Sequence, residues 1–465
     1  MLADDARSVN RDASPKLLMT MQSNQTKLKV VAFVPCKGSS SRVVGKNVKL
    51  LDAKPLFLHT LEKLIFKCPF IDLVILDTES DDVIELAKYL EYSDRFAVMK
   101  RAANLATNAT DGNALFMNEV KRFDAEIYLQ ILCTSPFISP KSILHSIEVL
   151  RRDNNEYDCV VGVEKTKQYT WTEDGPMYDV QCIPNSVDLQ DTIIETMGLY
   201  AITREAALLT NRRIGNKPFP LPLTPEEAID INYDDDFALA EKVAWARRME
   251  AVKALETARL QLTSAILTDT MDDLNIPNKT VHGLAPQGSK SKIMGRARTL
   301  KLRPLREGED PKGIYSALKT YDYVGTGDVI VVENPLEQRA YFGELNAHLA
   351  KKQGVTGVIT NGYTRDSEEV KSIDLPVYAA GSVCSDVRGR ATVESMNQAI
   401  VLGGVTCCPG DLIFADYEGI VVIPQDREDD VIKAALERVS NEKSIREGIL
   451  KDWSVEKLLV THGNF

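Results

Sequence analysis

A loop rich in lysine, glycine and serine follows the first apolar run of the chain. After Val30–Val34 the sequence reads Pro35-Cys36-Lys37-Gly38-Ser39-Ser40-Ser41-Arg42-Val43-Val44-Gly45-Lys46-Asn47. Small residues after a buried strand leave backbone N–H groups free to bind a polyphosphate, and the cationic side chains neutralise its charge. The segment therefore predicts a site for a nucleoside triphosphate, the alternative being a solvated basic loop. It contains neither GxxxxGK[ST] nor GxGxxG, so it is neither a P-loop nor a dinucleotide fingerprint.

A second group of polar residues lies far along the chain. Arg365 is followed directly by Asp366, which places a fixed cation beside a carboxylate of the kind that binds Mg²⁺. Upstream, a glycine begins a predicted helix, Glu344–Lys352, whose first N–H groups would bind a small carboxylate. Together these residues would hold a pyruvate-like α-keto acid on Mg²⁺ and stabilise its enolate. The alternative is a structural Arg-Asp pair on the surface. The predicted keto-acid site consists of Gly343, Glu344, Leu345, Asn346 and Arg365, with Asp366 as metal ligand.

The sequence around these groups shows two different patterns of secondary structure. From Lys29 onward, short β-branched runs alternate with helix-like stretches, which predicts parallel strands covered by helices on both faces. The predicted strands are Val30–Val34, Leu73–Leu76, Ile127–Leu132, Cys159–Val163 and Leu199–Ile202, and the helices are Asp81–Leu90 and Ser142–Arg151. After Pro277 the strands are punctuated by glycine: Asp328–Val332, Val355–Thr360, Pro376–Ala380, Gly404–Cys408, Leu412–Asp416 and Ile420–Pro424, with a closing helix at Glu428–Arg446.

The stretch between Tyr233 and Pro277 contains neither proline nor glycine, and its apolar residues recur at near-helical spacing. It predicts one long helix, or two end to end, joining two domains. We expect a loose tail at 1–28, a first domain at 29–248, a connecting helix at 249–276 and a second domain at 277–465. The fold class is α/β: an amino-terminal doubly wound, Rossmann-like domain, a long helical connection and a carboxy-terminal β/β/α layered domain.

Composition narrows the classes of function. With 465 residues, two domains are the simplest count, and 44% hydrophobic with 26% charged residues excludes a disordered or fibrous chain. The formal net charge of −11 disfavours nucleic acid and anionic lipid as partners. No apolar stretch is long enough for a membrane helix and no signal-peptide core is present, so the expected location is cytoplasmic. The eight cysteines lack CxxC spacing and the five histidines are far apart, which predicts reduced thiols and Mg²⁺ as the catalytic metal rather than zinc.

The amino-terminal loop is similar to the first motif of the acylneuraminate cytidylyltransferases, which make CMP-sialic acid. Five further stretches follow in that family's order. They are Leu76-Asp77-Thr78-Glu79-Ser80-Asp81-Asp82-Val83-Ile84, Arg101-Ala102-Ala103-Asn104-Leu105-Ala106, Thr134-Ser135-Pro136, Glu195-Thr196-Met197-Gly198-Leu199-Tyr200 and Asp230-Ile231-Asn232-Tyr233-Asp234-Asp235-Asp236-Phe237. The resemblance covers residues 29–248 and implies a nucleotidyltransferase fold. It also implies attack of the anomeric hydroxyl of a 2-keto-3-deoxy sugar acid on the α-phosphate of CTP, with release of pyrophosphate.

The resemblance also implies roles for residues. Lys37, Lys46 and Arg101 would act on the triphosphate, and Asp230 with Asn232 would hold Mg²⁺. Lys37 stands where the family has arginine, Asn232 stands where it has a second aspartate, and Gln130 takes the place of a glutamine two residues further on, where this chain has Leu132. The nucleotide-binding residues would be Gly38, Ser39, Ser40, Arg42, Asn47, Gln130, Thr134 and Ser135.

The carboxy-terminal half resembles the family that contains both 4-hydroxy-4-methyl-2-oxoglutarate aldolases and the regulators of ribonuclease activity A. The resemblance spans residues 260–460 and rests on Gly295-Arg296-Ala297, the two polar stretches around Gly343 and Arg365, Gly404-Val405-Thr406-Cys407-Cys408-Pro409-Gly410-Asp411 and Asp416-Tyr417-Glu418-Gly419-Ile420-Val421-Val422-Ile423-Pro424. It implies a Mg²⁺-dependent class II aldolase, because the Arg-Asp pair of the enzymes is kept. Asn361 stands where an aspartate is frequent.

The two resemblances meet in one substrate class, because the first three carbons of a sialic-type acid are formally pyruvate. We expect a bifunctional enzyme that uses CTP as substrate and Mg²⁺ in both domains, and that forms a homo-oligomer, a trimer or hexamer. The alternatives are a non-catalytic oligomerisation or regulatory module in the second half, a phosphonate or other keto acid as acceptor, and a ribonuclease-binding regulator, which the kept Arg365-Asp366 pair disfavours.

Overall fold

A computed structural model describes most of the chain. The described residues are 28–39, 43–107, 109–152, 156–276, 279–287 and 292–463. The predicted tail lies outside them except for Leu28, and Ser40, Ser41 and Arg42 also lie outside them. The described residues divide into two compact units, one made of Pro55–Ala240 with the residues before Leu50, and the other of Leu50–Lys54 with the residues from Glu241 onward.

The first unit is built on a seven-stranded sheet. Its strand order is β11-β7-β10-β6-β1-β4-β5. The strands up to β11 are β1 (Leu28–Pro35), β2 (Leu50–Leu51), β3 (Lys54–Pro55), β4 (Leu73–Thr78), β5 (Phe96–Lys100), β6 (Ala125–Ile131), β7 (Cys159–Thr166), β8 (Trp171–Thr172), β9 (Gly175–Pro176), β10 (Thr192–Thr203) and β11 (Pro218–Pro222). The strands β2 and β3, and β8 and β9, form separate two-stranded ladders.

Helices cover both faces of this sheet. They are α1 (Leu56–Phe66), α2 (Asp81–Ala87), α3 (Gly112–Val120), α4 (Pro140–Leu150) and α5 (Arg204–Thr210), with 3₁₀ turns at Lys88–Tyr92, Ala103–Leu105 and Ser186–Asp188. Local sequence sets their starts: the Ser139 side chain accepts the N–H of Ser142 and Pro140 opens α4, while Ser80 caps α2. Alternate residues of β1 enter two cores, since Val30 and Ala32 face one and Val31 and Phe33 face the other. The prediction of a doubly wound α/β domain is confirmed.

One predicted strand direction is wrong. The strand predicted at Leu199–Ile202 belongs to β10, which runs antiparallel to both β6 and β7, whereas β1 pairs in parallel with β4 and β6. The chain leaves β7 and returns as β10 beside it without an intervening α-helix, and a parallel neighbour requires such a crossover. The sheet is therefore mixed.

Two helices lie between the sheet regions of the chain. They are α6 (Asp234–Gln261) and α7 (Ser264–Asp273), so the long helical connection is confirmed as two helices end to end. Asp236 accepts hydrogen bonds from the N–H groups of Asn232 and Tyr233, each at 2.8 Å, which fixes the start of α6. Thr263 caps α7 by accepting the N–H of Ile266.

The second unit contains a nine-stranded sheet with the order β12-β25-β24-β14-β15-β17-β19-β13, and β21 pairs with β14 at one side. Three further short strands, β16, β18 and β20, form a separate sheet, and β22 pairs with β23. The strands are β12 (Thr280–Val281), β13 (Ala285–Pro286), β14 (Ile293–Pro304), β15 (Asp328–Glu333), β16 (Ala340–Phe342), β17 (Gly357–Thr360), β18 (Tyr363–Thr364), β19 (Val377–Ala379), β20 (Gly381–Ser382), β21 (Ala391–Met396), β22 (Ile400–Leu402), β23 (Val405–Cys407), β24 (Leu412–Ala415) and β25 (Ile420–Ile423).

The helices of this unit complete a layered α/β architecture, as predicted. They are α8 (Glu344–Lys352), which begins and ends where the sequence predicts, α9 (Ser367–Ser372), α10 (Glu428–Leu450) and α11 (Val455–His462), with a 3₁₀ stretch at Gly313–Asp322. The sheet separates two cores, one around Leu300, Val332 and Phe342 and the other around Val331, Tyr378 and Ile413.

Candidate functional sites

The predicted nucleotide loop begins where β1 ends and is tied to the neighbouring strand ends. The backbone N–H of Gly38 donates to Oε1 of Glu79 at 2.7 Å. A Cβ atom at Gly38 would lie 2.5 Å from Cβ of Ser80, so a residue with a side chain does not fit there without movement. Nδ2 of Asn47 donates to the carbonyl of Lys37 at 2.8 Å, which joins the two ends of the loop. The structure thus places Lys37, Gly38, Ser39 and Asn47 in one loop at the carboxyl edge of the sheet.

Lys46 connects this loop to the acidic segment before α6. Its side chain is buried, and its Nζ donates to the carbonyl of Ile231 at 2.5 Å. The N–H of Ile231 in turn donates to the carbonyl of Thr134 at 2.9 Å. Three segments that are far apart in sequence therefore meet beside Asp230.

Asp230 lies among oxygen-bearing side chains. Oγ of Ser135 is 3.5 Å from one of its carboxylate oxygens, and Nδ2 of Asn232 donates to the other at 2.6 Å. One carboxylate, a hydroxyl and an amide oxygen fit Mg²⁺, which commonly takes one or two carboxylates and completes its shell with water and substrate phosphates. Among the described residues no three His, Cys, Asp or Glu side chains form a group suited to a metal. A metal here would therefore depend on the nucleotide for further ligands.

Arg101 is buried and already paired with carboxylates. Nη2 of Arg101 is 3.1 Å from Oδ2 of Asp77, its Nε donates to Oδ1 of the same residue, and Nη1 is 3.7 Å from Oε2 of Glu79. Burial raises the pKa of the Asp77 carboxyl, and the Arg101 guanidinium lowers it in part. The positive charge of Arg101 is thus largely balanced by the protein.

Gln130 also faces the protein interior. It is buried on β6, and its Nε2 donates to Oε2 of Glu119 on α3 at 2.8 Å. Burial, followed by the charge of Asp77, raises the pKa of the Glu119 carboxyl well above its usual range. Gln130, Glu119, Asp77 and Arg101 form one buried polar layer beneath the carboxyl ends of the strands.

Three side chains with no individual role in the sequence motifs, Arg213, Tyr200 and Glu195, lie together in the structure. Burial raises the pKa of Tyr200, and the Asp230 charge acts on it in the same direction. The Arg213 guanidinium lies 4.0 Å above the ring of Tyr200, and Nη2 of Arg213 is 3.9 Å from Oε1 of Glu195. The Tyr200 hydroxyl donates to Glu195. Glu195 and Tyr200 lie in a motif quoted above, whereas Arg213 does not. The adjacent arginines Arg212-Arg213, between a helix and a proline-rich strand, are the sequence signal that could have drawn attention to it.

The second predicted site lies at the carboxyl ends of a small parallel sheet. Strands β16, β18 and β20 pair in parallel, and the segments after them carry Gly343, Arg365-Asp366 and Asp386. Nη1 of Arg365 is 2.7 Å from Oδ2 of Asp386, and Nε of Arg365 is 3.5 Å from Oδ2 of Asp366. The sequence alone did not indicate Asp386, because this residue follows a third strand and belongs to no motif.

The start of α8 is filled by a side chain of the protein. Oδ2 of Asp366 accepts the N–H of Glu344 at 3.2 Å, a favourable position for a carboxylate. A Cβ atom at Gly343 would lie 2.5 Å from the same oxygen, so the close approach requires glycine. Leu345 is exposed, and Nδ2 of Asn346 donates to the carbonyl of Tyr341 at 3.1 Å. The carboxylate oxygens of Asp366 and Asp386, which both lie near Arg365, are of the kind that Mg²⁺ takes.

Comparisons with known families identify two different domains on one chain. Residues 31–186 match the model of the cytidylyltransferase family, and residues 264–422 match that of the RraA-like family, described as Aldolase/RraA. The chain therefore carries a domain of the cytidylyltransferase family and a domain of the RraA-like aldolase family, as the sequence motifs predict.

Individual relatives cover parts of the chain. Protein DlpA of Legionella pneumophila is 28% identical over 201 residues, 43% of this chain and 32% of DlpA, so the match spans about a third of that relative. A protein of Halalkalibacterium halodurans with the provisional name 4-hydroxy-4-methyl-2-oxoglutarate aldolase is 27% identical over 41% of this chain and 86% of its own length. The match with the solved structure of a CMP:2-keto-3-deoxy-manno-octonic acid synthetase complexed with CTP covers 48% of this chain and 99% of that chain, at 16% identity and a TM-score of 0.35.

None of the helices in the described residues is both long and apolar enough to cross a bilayer.

Proposed function

We propose that the amino-terminal domain transfers the cytidylyl group of CTP to a hydroxyl of a 2-keto-3-deoxy sugar acid and releases pyrophosphate. The observation that carries the proposal is the contact of the buried Lys46 side chain with the carbonyl of Ile231, the residue that follows Asp230. A cation and a carboxylate on two contacting segments suit a reaction in which charge develops on phosphoryl oxygens.

Different residues of the domain would bind the triphosphate and the metal ion. The loop from Lys37 to Asn47 binds the triphosphate, and the side chain of Lys46 neutralises charge on the phosphates. Asp230, with Ser135 and Asn232 beside it, would hold Mg²⁺, which supplies charge stabilisation at the α-phosphate. Arg101, because it is paired with Asp77 and Glu79, orients the strand ends beneath the nucleotide.

We further propose that the carboxy-terminal domain forms or cleaves a carbon–carbon bond to pyruvate. Arg365 lies between two carboxylates, where its guanidinium binds the keto-acid substrate, and Asp366 and Asp386 would hold Mg²⁺, which polarises the keto oxygen. Release of pyruvate from the same class of sugar acid would connect the two domains through one substrate class.

One experiment follows the two reactions separately. The full chain is incubated with CTP, Mg²⁺ and a panel of 2-keto-3-deoxy sugar acids, and pyrophosphate and pyruvate are assayed in parallel. We expect pyrophosphate in the presence of CTP, and pyruvate with or without it. Arg365→Ala should abolish pyruvate release and leave pyrophosphate release unchanged. If neither pyrophosphate nor pyruvate is released with any sugar acid of the panel, the proposal is rejected.

A second reading of the carboxy-terminal domain is a non-catalytic module for oligomerisation or regulation. The observation that favours it is the 2.7 Å ion pair between Arg365 and Asp386, because a guanidinium already neutralised by the protein has less attraction for a substrate. This reading predicts no pyruvate from any sugar acid, together with a trimeric or hexameric mass in solution. Pyruvate release that depends on Arg365 would exclude it.

A further inference from the structure

Strand β10 is irregular at the edge of the proposed transferase site. Its pairing with β7 shifts register between Glu195 and Tyr200, and Met197 within that stretch has φ of +62°. A left-handed conformation in a long apolar residue is uncommon, and such strain is concentrated at functional sites. The shift turns Glu195 toward the buried ring of Tyr200, whose hydroxyl it accepts.

The same irregularity lies against the residues around Asp230. A Cβ atom at Gly198 would be 2.6 Å from Oγ of Ser135, and that Oγ is 3.5 Å from Oδ1 of Asp230. The N–H of Leu132 donates to the carbonyl of Gly198 at 3.0 Å. The bulged stretch of β10 therefore borders the carboxylate that we propose as the metal ligand.

Arg213 covers this stretch with its guanidinium. The group is stacked on the Tyr200 ring at 4.0 Å, and its side chain is 15% exposed. Its backbone is fixed as well, because the N–H of Arg213 donates to Oδ1 of Asn113 at 3.0 Å. The stacked, fixed guanidinium keeps its planar fork of donors in one orientation, which suits a carboxylate.

The counter-ion of Arg213 is held at a distance. Nη2 of Arg213 is 3.9 Å from Oε1 of Glu195 and 3.7 Å from Sδ of Met197, a weak acceptor. A direct guanidinium–carboxylate hydrogen bond is about 2.7–2.9 Å long. The protein thus places the charge of Glu195 near Arg213 without the short bidentate contact that the guanidinium can make.

From this arrangement we infer that Arg213 binds the carboxylate of the acceptor substrate and so selects a sugar acid over a neutral sugar. The inference rests on the proposed cytidylyl transfer, because it assigns the acceptor side of that same site. The acceptor carboxylate takes the short contact with the guanidinium, and Glu195 remains bonded to the Tyr200 hydroxyl.

The test uses the full chain with CTP, Mg²⁺ and either N-acetylneuraminate or 3-deoxy-manno-octulosonate, followed by pyrophosphate release. Arg213→Met should raise KM for the sugar acid about 10- to 100-fold, as expected for loss of a charge-assisted bidentate pair, while KM for CTP changes less than about twofold. The KM of Arg213→Lys for the sugar acid should lie between that of the wild type and that of Arg213→Met. The matched control is Arg212→Met, because the neighbouring Arg212 is exposed and bonds to Asn216, and it should leave both constants unchanged.

Two results with the variants would overturn the inference: an unchanged KM for the sugar acid in Arg213→Met, or an equal rise in KM for CTP and sugar acid, which indicates a structural role. A parallel assay with 2-hydroxyethylphosphonate separates the two oxyanions, since dependence on Arg213 with the phosphonate alone would contradict a carboxylate. If the proposed function itself is wrong, the wild-type chain releases no pyrophosphate with any acceptor. That result would also overturn the inference about Arg213.

Discussion

Nζ of Lys46 lies 2.5 Å from the carbonyl oxygen of Ile231, so that a buried ammonium group contacts the backbone of the residue that follows Asp230. Lys46 belongs to the loop after the first strand, and Ile231 lies 185 positions further along the chain. The contact therefore closes the nucleotide loop against the acidic segment that precedes α6. The proposed cytidylyl transfer depends on this contact between Lys46 and the segment that carries Asp230.

Replacement of Lys46 by methionine should lower the rate of pyrophosphate release about 10²- to 10³-fold, because a fixed cation aimed at the phosphates is lost. The measurement is steady-state pyrophosphate release with saturating CTP. Lys49→Met is the control, since Lys49 lies at the same loop but contacts Asp234 and the Phe237 ring. A Lys46→Met enzyme that keeps a rate within about threefold of the wild type, at unchanged Tm, would contradict the role of Lys46.

Asn232→Asp should lower the Mg²⁺ concentration needed for half-maximal pyrophosphate release. Asn232 donates to Oδ2 of Asp230 at 2.6 Å, and an aspartate there would add a second carboxylate to the hard-oxygen site. Without metal the two like charges repel, so the variant should also unfold at a lower temperature in EDTA. The check is a Mg²⁺ titration of activity beside a melting curve. If the Mg²⁺ requirement is unchanged or higher, Asp230 and Asn232 do not face the metal.

Gly343→Ala should abolish pyruvate release and spare pyrophosphate release. The added Cβ atom would lie 2.5 Å from Oδ2 of Asp366, so this carboxylate must move away from α8. Gly419→Ala is a matched control in the same unit, because nothing lies within 4 Å of its added Cβ atom. Pyruvate release by Gly343→Ala at the wild-type rate would show that the position of Asp366 does not matter for the reaction.

Asp411 should make stability depend on pH. Burial raises its pKa to about 7 from the ordinary value of 3.8, although it accepts the N–H groups of Cys408 and Gln425. The folded state therefore binds more protons than the unfolded state between about pH 4 and 7, and its contribution to the free energy of unfolding is lost as pH rises through this range. The loss is up to about 4 kcal/mol at about 1.4 kcal/mol per pKa unit.

The substitution Asp411→Asn removes the carboxyl group that titrates. Urea unfolding of the wild type and Asp411→Asn at pH 5 and pH 8 should give a smaller decrease in the free energy of unfolding for the variant. Equal decreases in both proteins would mean that the Asp411 carboxyl does not titrate in this range.

Much of the fold was predictable because its signals are local. Apolar runs of β-branched residues mark β1 and β15, and the glycine before Glu344 sets the start of α8. The direction of β10 was not predictable, because an apolar run has the same composition in parallel and antiparallel neighbours. It depends on the return of the chain from β7 without a crossover helix.

The candidate sites show the same division. The ordered motifs include Lys46 and Asp230, and the structure places the Lys46 side chain against the carbonyl of Ile231, the residue after Asp230. Arg213, Glu119 and Asp386 have no periodic or motif signal, and only the packing of distant segments brings them to the sites. Burial also depends on distant segments. The sequence does not show that Arg101 has carboxylate partners, whereas in the fold it is paired with Asp77 and Glu79.

The most direct test of the central claim is calorimetric titration of the full chain with CTP in the presence of Mg²⁺. The account predicts saturable binding of one CTP per chain, weakened by Lys46→Met and unaffected by Lys49→Met. An absence of saturable CTP binding by the wild-type chain would contradict it.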